Sequence, residues 1–86
     1  MNHFEIMSFA KRLGLEVSTE RDHDVSLKHE VVVIAFRTPP RYSPKRGHER
    51  GDHIATLKFH HHMGPTEYAD ACAPAYNALK QYETWR

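Results

Sequence analysis

The chain has 86 residues, 40% of them hydrophobic and 27% charged, with a formal net charge of +1. A chain this short forms one domain and buries only about 60–65% of the surface that it exposes when unfolded, which disfavours a deep enclosed active site. No apolar run approaches the roughly 20 residues that span a bilayer, and the start lacks the pattern of a secretory signal. We therefore predict a single domain, 1–86, that has no membrane partner. The single cysteine, Cys72, excludes an intrachain disulfide and favours the cytoplasm.

The first predicted element is a helix over residues 3–13. Asn2 can cap it, and Glu5 stands where a capping box places its acidic residue. Gly14 suits the left-handed residue that follows a helix, and Leu15 can pack back on the last turn. The predicted apolar face contains Phe4, Ile6, Met7, Phe9, Ala10 and Leu13.

Three strands are predicted next. Residues 15–19 alternate apolar and polar, and a turn is expected at 22–24 because Asp is frequent in turns. The apolar run 31–36 is typical of a central strand, and residues 54–63 predict a third strand that pairs with it. We expect the second strand to turn Val32, Ile34 and Phe36 toward the core. Val25 and Leu27 then have the wrong parity, which a bulge near His29 or Glu30 would correct.

The last predicted element is a helix that begins near Pro65 and is kinked or broken at Pro74. Its stripe of Tyr68, Cys72, Ala75, Tyr76, Leu79 and Tyr82 indicates a buried face, and we expect Trp85 to pack on the sheet. The predicted fold is α+β, in the order α-β-β-β-α, with both helices on one face of a three-stranded antiparallel sheet.

This order resembles the double-stranded RNA-binding domain in topology. That family carries lysines at the start of its second helix, where they grip phosphates. Here the corresponding start, residues 66–70, reads TEYAD and is acidic. We therefore do not expect duplex RNA to be the ligand.

Positive charge is concentrated in residues 37–53, which we call the basic segment. It holds five Arg or Lys and two acidic residues, a net +3, whereas the rest of the chain sums to −2. Prolines and glycines predict an irregular hairpin loop, and loops of this length in small domains are often functional or disordered. An anionic partner would suit this charge. The candidate partner-binding residues are Arg37, Arg41, Tyr42, Lys45, Arg46, His48 and Arg50, with Lys58, His60 and His62 as outward residues of the third strand.

Residues 16–30 carry the opposite charge, a net −3. An acidic first hairpin beside a basic second one would suit a partner of mixed charge or a homodimer. Ordinary solvation of the strands is the alternative interpretation.

A few residues could support chemistry. His60 and His62 would share one face of a strand, with His53 or His48 as a third metal ligand. A His-based metal-dependent hydrolase is thus one alternative, although no spacing completes a site, and we predict no catalytic residues, no metal and no cofactor. Cys72 falls in the apolar stripe of the last helix and is expected to be buried and inert.

The leading hypothesis is a non-enzymatic binding or regulatory protein that acts by stoichiometric association through the basic segment. Its partner would be a protein complex that it inhibits or adapts, as phage or mobile-element accessory proteins do. The alternative partner is nucleic acid, whose phosphates the same segment would contact.

Overall fold

Seven elements follow one another along the chain in a computed structural model that describes residues 2–24, 29–45, 47–49 and 51–85. In chain order they are α1 (His3–Arg12), β1 (Glu16–Asp24), β2 (His29–Arg37), β3 (Arg41–Ser43), β4 (Gly47–Glu49), β5 (His53–Phe59) and α2 (Pro65–Trp85). The predicted order of helix, three-stranded antiparallel sheet and helix is confirmed, because β1, β2 and β5 form one sheet in the order β1-β2-β5. Strands β3 and β4 form a separate two-stranded sheet within the basic segment.

Both ends of helix α1 are capped as the sequence predicts. The Asn2 side chain accepts a hydrogen bond of 2.9 Å from the Glu5 amide. At the other end Gly14 has a φ of 82°, and the Leu15 amide donates to the Ala10 carbonyl at 3.0 Å. Leu15 is buried, so the chain enters β1 packed against the helix it has just left.

Strands β1 and β2 pair without a break from Glu16 opposite Arg37 to Asp24 opposite His29. The turn predicted at 22–24 is therefore wrong, because cross-strand pairing holds these residues extended although Asp is common in turns. The pairing also leaves no bulge near His29 among the paired residues. Val25 and Leu27, whose parity motivated that bulge, lie outside the described residues.

Strand β5 pairs with β2 as predicted and carries the one irregularity of this ladder. Phe36 lies opposite Ala55 and Arg37 lies opposite His53, so Ile54 is the extra residue of a bulge. The strand ends at Phe59, whereas the sequence predicted it to continue to residue 63. His60 to Met63 form the turn that leads into α2.

Both helices cover the same face of the sheet. Its core residues Ile34, Phe36 and Leu57 are at most 1% exposed and pack with side chains of α1 and α2. The opposite face, which we call the open face, carries Val33 half-buried between Glu20 and Lys58, and Ala35 half-buried between Ser18 and Thr56. The further buried residues of the core cluster are Ile6, Phe9, Ala10, Leu13, Leu15, Ala55, Phe59, Cys72, Ala75 and Leu79.

Helix α2 runs unbroken through Pro74, so the alternative of a break there is wrong. Pro74 and Asp70, the residue one turn before it, are both exposed, and water can satisfy the carbonyl that Pro74 leaves without an amide partner. Two apolar residues that were expected to pack, Phe4 in the apolar face of α1 and Trp85 on the sheet, are on the surface instead. Phe4 is 68% exposed and Trp85 is 84% exposed, and each lies in a terminal turn of its helix.

Candidate partner-binding site

The root of the basic segment is a backbone clamp between the end of β2 and the start of β5. The Thr38 amide donates to the Asp52 carbonyl at 2.9 Å, and the Asp52 amide donates to the Thr38 hydroxyl at 2.7 Å. Gly51 is buried against Thr38, and a Cβ atom there would lie 1.7 Å from the Thr38 carbonyl oxygen. Only glycine fits this position, so its place in the sequence has a steric cause.

Beyond the clamp the basic segment is a short hairpin instead of the irregular loop predicted. Arg41 lies opposite Glu49, Tyr42 opposite His48 and Ser43 opposite Gly47. Gly47 has a φ of 76°, which lets the chain reverse after the exposed Lys45. Pro39 and Pro40 follow the end of β2 and separate the two sheets. Beyond these prolines, backbone pairing resumes between β3 and β4.

The predicted site residues of the basic segment have different surroundings. Tyr42 is 68% exposed and Lys45 is exposed at the turn, whereas Arg37 is half-buried on the open face. Arg41 and His48 belong to β3 and β4 by their backbones. Arg46 and Arg50 lie outside the described residues.

Arg37 and its surroundings form a shallow hollow of about 330 Å³ on the open face. Among the described residues its guanidinium group has neither a hydrogen bond nor an ion pair, while the nearby His53 ring contacts the Thr56 hydroxyl at 2.5 Å. The other residues that line the hollow are Ser18, Glu20, Val33 and Ala35. Arg37 is therefore held at the root of the basic segment with its charge available to a partner.

Lys58, His60 and His62 lie away from the basic segment. His60 follows His53, at the root, by seven positions of mostly extended chain, a distance of about 23 Å. Lys58 is exposed on the open face, and the two histidines lie in the turn after β5. The described members of the predicted set therefore form two groups, one at the start of β5 and one at its end, and their assignment to a partner remains a prediction.

The histidine turn also bears on the metal hypothesis. The rings of His60 and His62 have centroids 6.4 Å apart, and the His62 amide donates to His60 Nδ1 at 3.2 Å. His53 is too far along β5 to join them. In the described part of the chain, no three His, Cys, Asp or Glu side chains are grouped so that they could hold a metal ion.

Another histidine, His3, joins the two helices. The Tyr68 hydroxyl accepts a hydrogen bond of 2.7 Å from the His3 amide and lies 2.6 Å from His3 Nδ1. Both contacts are satisfied when the hydroxyl donates to Nδ1 of a neutral ring. Burial, and to a lesser extent His61, lowers the pKa of His3 from its ordinary 6.5. Burial likewise raises the pKa of the Tyr68 hydroxyl above 10.0.

A second surface, which was not predicted from the sequence, is an apolar groove of about 390 Å³ between α1 and the helix-covered face of the sheet. Phe4 and Met7 form one wall, Thr19 and Arg21 the other, and Val32 lies between them. Its signal is visible in retrospect: after Val17, the positions of β1 on the helix-covered face are Thr19 and Arg21, which bury little. Because β1 is polar on both faces from Ser18 onward, its side chains here are not buried beneath the helices.

Cys72 is buried, as predicted. Tyr68, Tyr76 and Tyr82 pack half-buried against the core, as their spacing indicated. Comparison of the chain with protein-family models, with curated proteins and with solved structures finds no match. Within the described residues, neither helix combines the length and apolar character needed to cross a membrane.

Proposed function

We propose that this chain is a non-enzymatic binding protein that associates stoichiometrically with a protein complex, as an inhibitor or adaptor of the kind that phage and mobile elements encode. Its basic segment would make the contact. One observation carries the proposal. Among the described residues, the hydrophobic core takes no side chain from residues 37–53, although the segment has a net charge of +3. Charge that is not used in packing is suited to an anionic surface on another molecule.

The geometry at the root supports the same proposal. The clamp of Thr38, Gly51 and Asp52 fixes where the segment leaves the sheet, and the pairing of β3 with β4 shapes it further on. A binding segment that is ordered before it meets its partner loses less conformational entropy on association. The molecule is elongated, 46 × 29 × 15 Å, and so offers a surface that is long for its mass.

Nucleic acid is the second candidate partner, and Tyr42 is the observation that favours it. Its ring is 68% exposed within a basic sequence. Stacking of a base on such a ring contributes about 1–3 kcal/mol, and nearby cations add phosphate contacts.

A matched pair of variants tests the proposal. In the arm variant, Arg41, Lys45 and Arg46 are changed to Ala. In the helix variant, three exposed cations of α1 and α2, Lys11, Arg12 and Lys80, are changed to Ala. Both lose the same charge. Wild type and variants are used as bait in lysate of the native host, with nuclease treatment, and bound proteins are quantified by mass spectrometry.

The proposal predicts stoichiometric partners that survive nuclease, bind wild type and the helix variant, and are lost from the arm variant. Equal recovery by the arm variant would show that the basic segment is not the contact. For the second candidate, affinity for single- and double-stranded oligonucleotides is measured against salt. Phosphate contacts predict a linear fall of log affinity with log salt, with a slope about three smaller in the arm variant.

A further inference from the structure

One wall of the apolar groove beside α1 is a row of aromatic rings. His3 stacks on Phe59 with the ring centroids 4.4 Å apart, and the Phe4 centroid lies 4.1 Å from that of His3. The Tyr68 hydroxyl, 2.6 Å from His3 Nδ1, holds the middle ring in place. Phe59 is buried whereas Phe4 is 68% exposed, so the row runs from the core to the surface. Rings held in this way offer a preorganised surface on which a flat apolar group can stack.

The rest of the groove is mostly aliphatic and only partly covered. Met7 of α1 and Val32 of β2 are half-buried, and Ile34, which is 1% exposed, lies deeper. The volume of about 390 Å³ falls within the range of about 300–1,000 Å³ that is usual for small-molecule sites. Its size and lining therefore suit a small apolar ligand.

The rim of the groove is cationic. Arg21 lines it from β1, and His61 lines it from the turn after β5. Among the described residues, those that line the groove include no carboxylate. Arg21 Nη1 does lie 4.0 Å from Glu30 Oε2, but the two side chains are 77% and 65% exposed. An ion pair this long and this exposed contributes little, so Arg21 can turn toward a ligand at small cost.

The hollow between the two helices has a different balance of charge. It is lined by two cations, Arg12 and Lys80, and by two carboxylates, Glu5 and Glu83. Lys80 lies 3.5 Å from Glu83, and both cations lie within 6 Å of the Phe9 ring centroid, at 5.7 and 5.8 Å. Cations there have carboxylates and a ring beside them, whereas the lining of the groove brings an arginine to an apolar surface without an acid.

We propose that the groove binds a small aromatic carboxylate. Its ring would lie against Phe4 and the other rings of the wall, and its carboxylate would accept hydrogen bonds from Arg21 and His61 at the rim. Apolar contact would supply most of the affinity, and the cationic rim would select anions. The lining includes no residue of the basic segment, so the proposal does not depend on the proposed function.

The probe is 2-naphthoate, added to the full chain labelled with ¹⁵N, and binding is followed by amide chemical shifts. Two molecules with the same ring are controls: 2-naphthamide, which is neutral, and 2-naphthylmethylamine, which is a cation at neutral pH. The proposal predicts saturable shifts at Met7, Thr19, Arg21 and Val32, with a Kd of about 1 mM or below. Naphthoate should bind about fivefold more tightly than naphthamide, the effect of a favourable exposed ion pair, and the amine more weakly than both. Equal affinity for the three molecules, no saturable binding, or shifts confined to other surfaces would overturn the proposal.

Two variants separate the charge from the apolar contact. Arg21→Gln should abolish the preference for naphthoate over naphthamide and leave the affinity for naphthamide unchanged. Phe4→Ser should weaken the binding of both molecules by about fivefold and keep the preference, because a stacked ring is lost while the charge remains. Both side chains are exposed, so both variants should keep the fold.

Matched controls for these variants lie outside the groove. Arg12→Gln removes an exposed cation and Trp85→Ser removes an exposed ring, and neither should change the affinity for naphthoate. The arm variant should also bind naphthoate as the wild type does. A loss in Arg12→Gln or in the arm variant as large as that in Arg21→Gln would show general attraction of an anion, which contradicts the proposal. Equal effects of Phe4→Ser and Trp85→Ser would contradict it as well.

Discussion

The body of the molecule and its basic segment are held in shape by different interactions. The body has two helices and three strands that bury a shared set of apolar side chains. The basic segment, among its described residues, gives no side chain to that set and is ordered by a backbone clamp and by the pairing of β3 with β4. Burial dominates stability in small domains, so substitutions in the two regions should differ sharply in effect.

The largest expected effect is on the body. Leu57→Ala or Phe36→Ala removes a side chain that is fully buried in the core. Each should lower the free energy of unfolding by about 2–5 kcal/mol, from lost burial and the cavity left behind. Equilibrium unfolding in urea measures this.

The matched control for the basic segment is Tyr42→Ala, whose ring is 68% exposed. It should change the free energy of unfolding by no more than about 0.5 kcal/mol. Comparable losses in the two regions would erase the distinction drawn between them.

The next largest effect is expected at the clamp, where the body and the basic segment meet. Gly51→Ala places a Cβ atom 1.7 Å from the Thr38 carbonyl oxygen, so the clamp must open. The free energy of unfolding should fall by about 1–3 kcal/mol, with amide shifts changed in residues 38–52 and little changed in α1. Gly64→Ser is the control, since no atom lies within 4 Å of a Cβ there and serine caps a helix well. If Gly51→Ala left the free energy of unfolding unchanged, the clamp would not be what holds the basic segment in place.

A smaller effect concerns the joint between the two helices. Tyr68→Phe leaves the His3 amide and His3 Nδ1 without their shared partner. The free energy of unfolding should fall by about 1 kcal/mol, as for a partly exposed hydrogen-bonded group. Tyr76→Phe offers a comparison ring that packs edge-on against Phe9 at 5.7 Å, and it should be closer to neutral.

The same joint predicts a pH dependence. The pKa of His3 is lowered in the folded state, so the folded protein binds fewer protons than the unfolded chain. The stability from neutral His3 is present above its ordinary pKa of 6.5 and is lost as the pH falls through the lower, folded value. His3→Gln should flatten the dependence of the urea midpoint on pH in this range. A steeper or unchanged profile in His3→Gln would refute this.

Much of the body was predictable from local signals. Asn2 and Gly14 mark the ends of α1 by capping chemistry alone, and the run at 31–36 marks a central strand because only a covered strand is apolar on consecutive residues. The prediction of a turn at 22–24 is wrong because pairing with β2 outweighed the turn preference of Asp. The predictions for Phe4 and Trp85 are wrong because the apolar pattern of a helix does not reveal whether its end turns are covered by neighbouring elements.

The candidate site was less predictable. Charge in residues 37–53 is visible in composition, but the clamp that precedes the β3–β4 pairing joins Thr38 to Gly51, 13 positions apart, and no local pattern reveals it. The separation of His62 from the segment follows from the direction of β5 and the early end of that strand. The groove beside Phe4 arises where α1 and β1 diverge, which is a property of packing rather than of any motif.

The central claim is that the cations of the basic segment serve a contact outside the molecule and not the fold. The free energy of unfolding of the arm variant, with Arg41, Lys45 and Arg46 changed to Ala, tests this most directly. The account predicts a value within about 0.5 kcal/mol of wild type, because it assigns these three side chains no part in stabilising the fold. A loss of more than about 2 kcal/mol would show that these charges are needed inside the folded chain, and it would contradict the account.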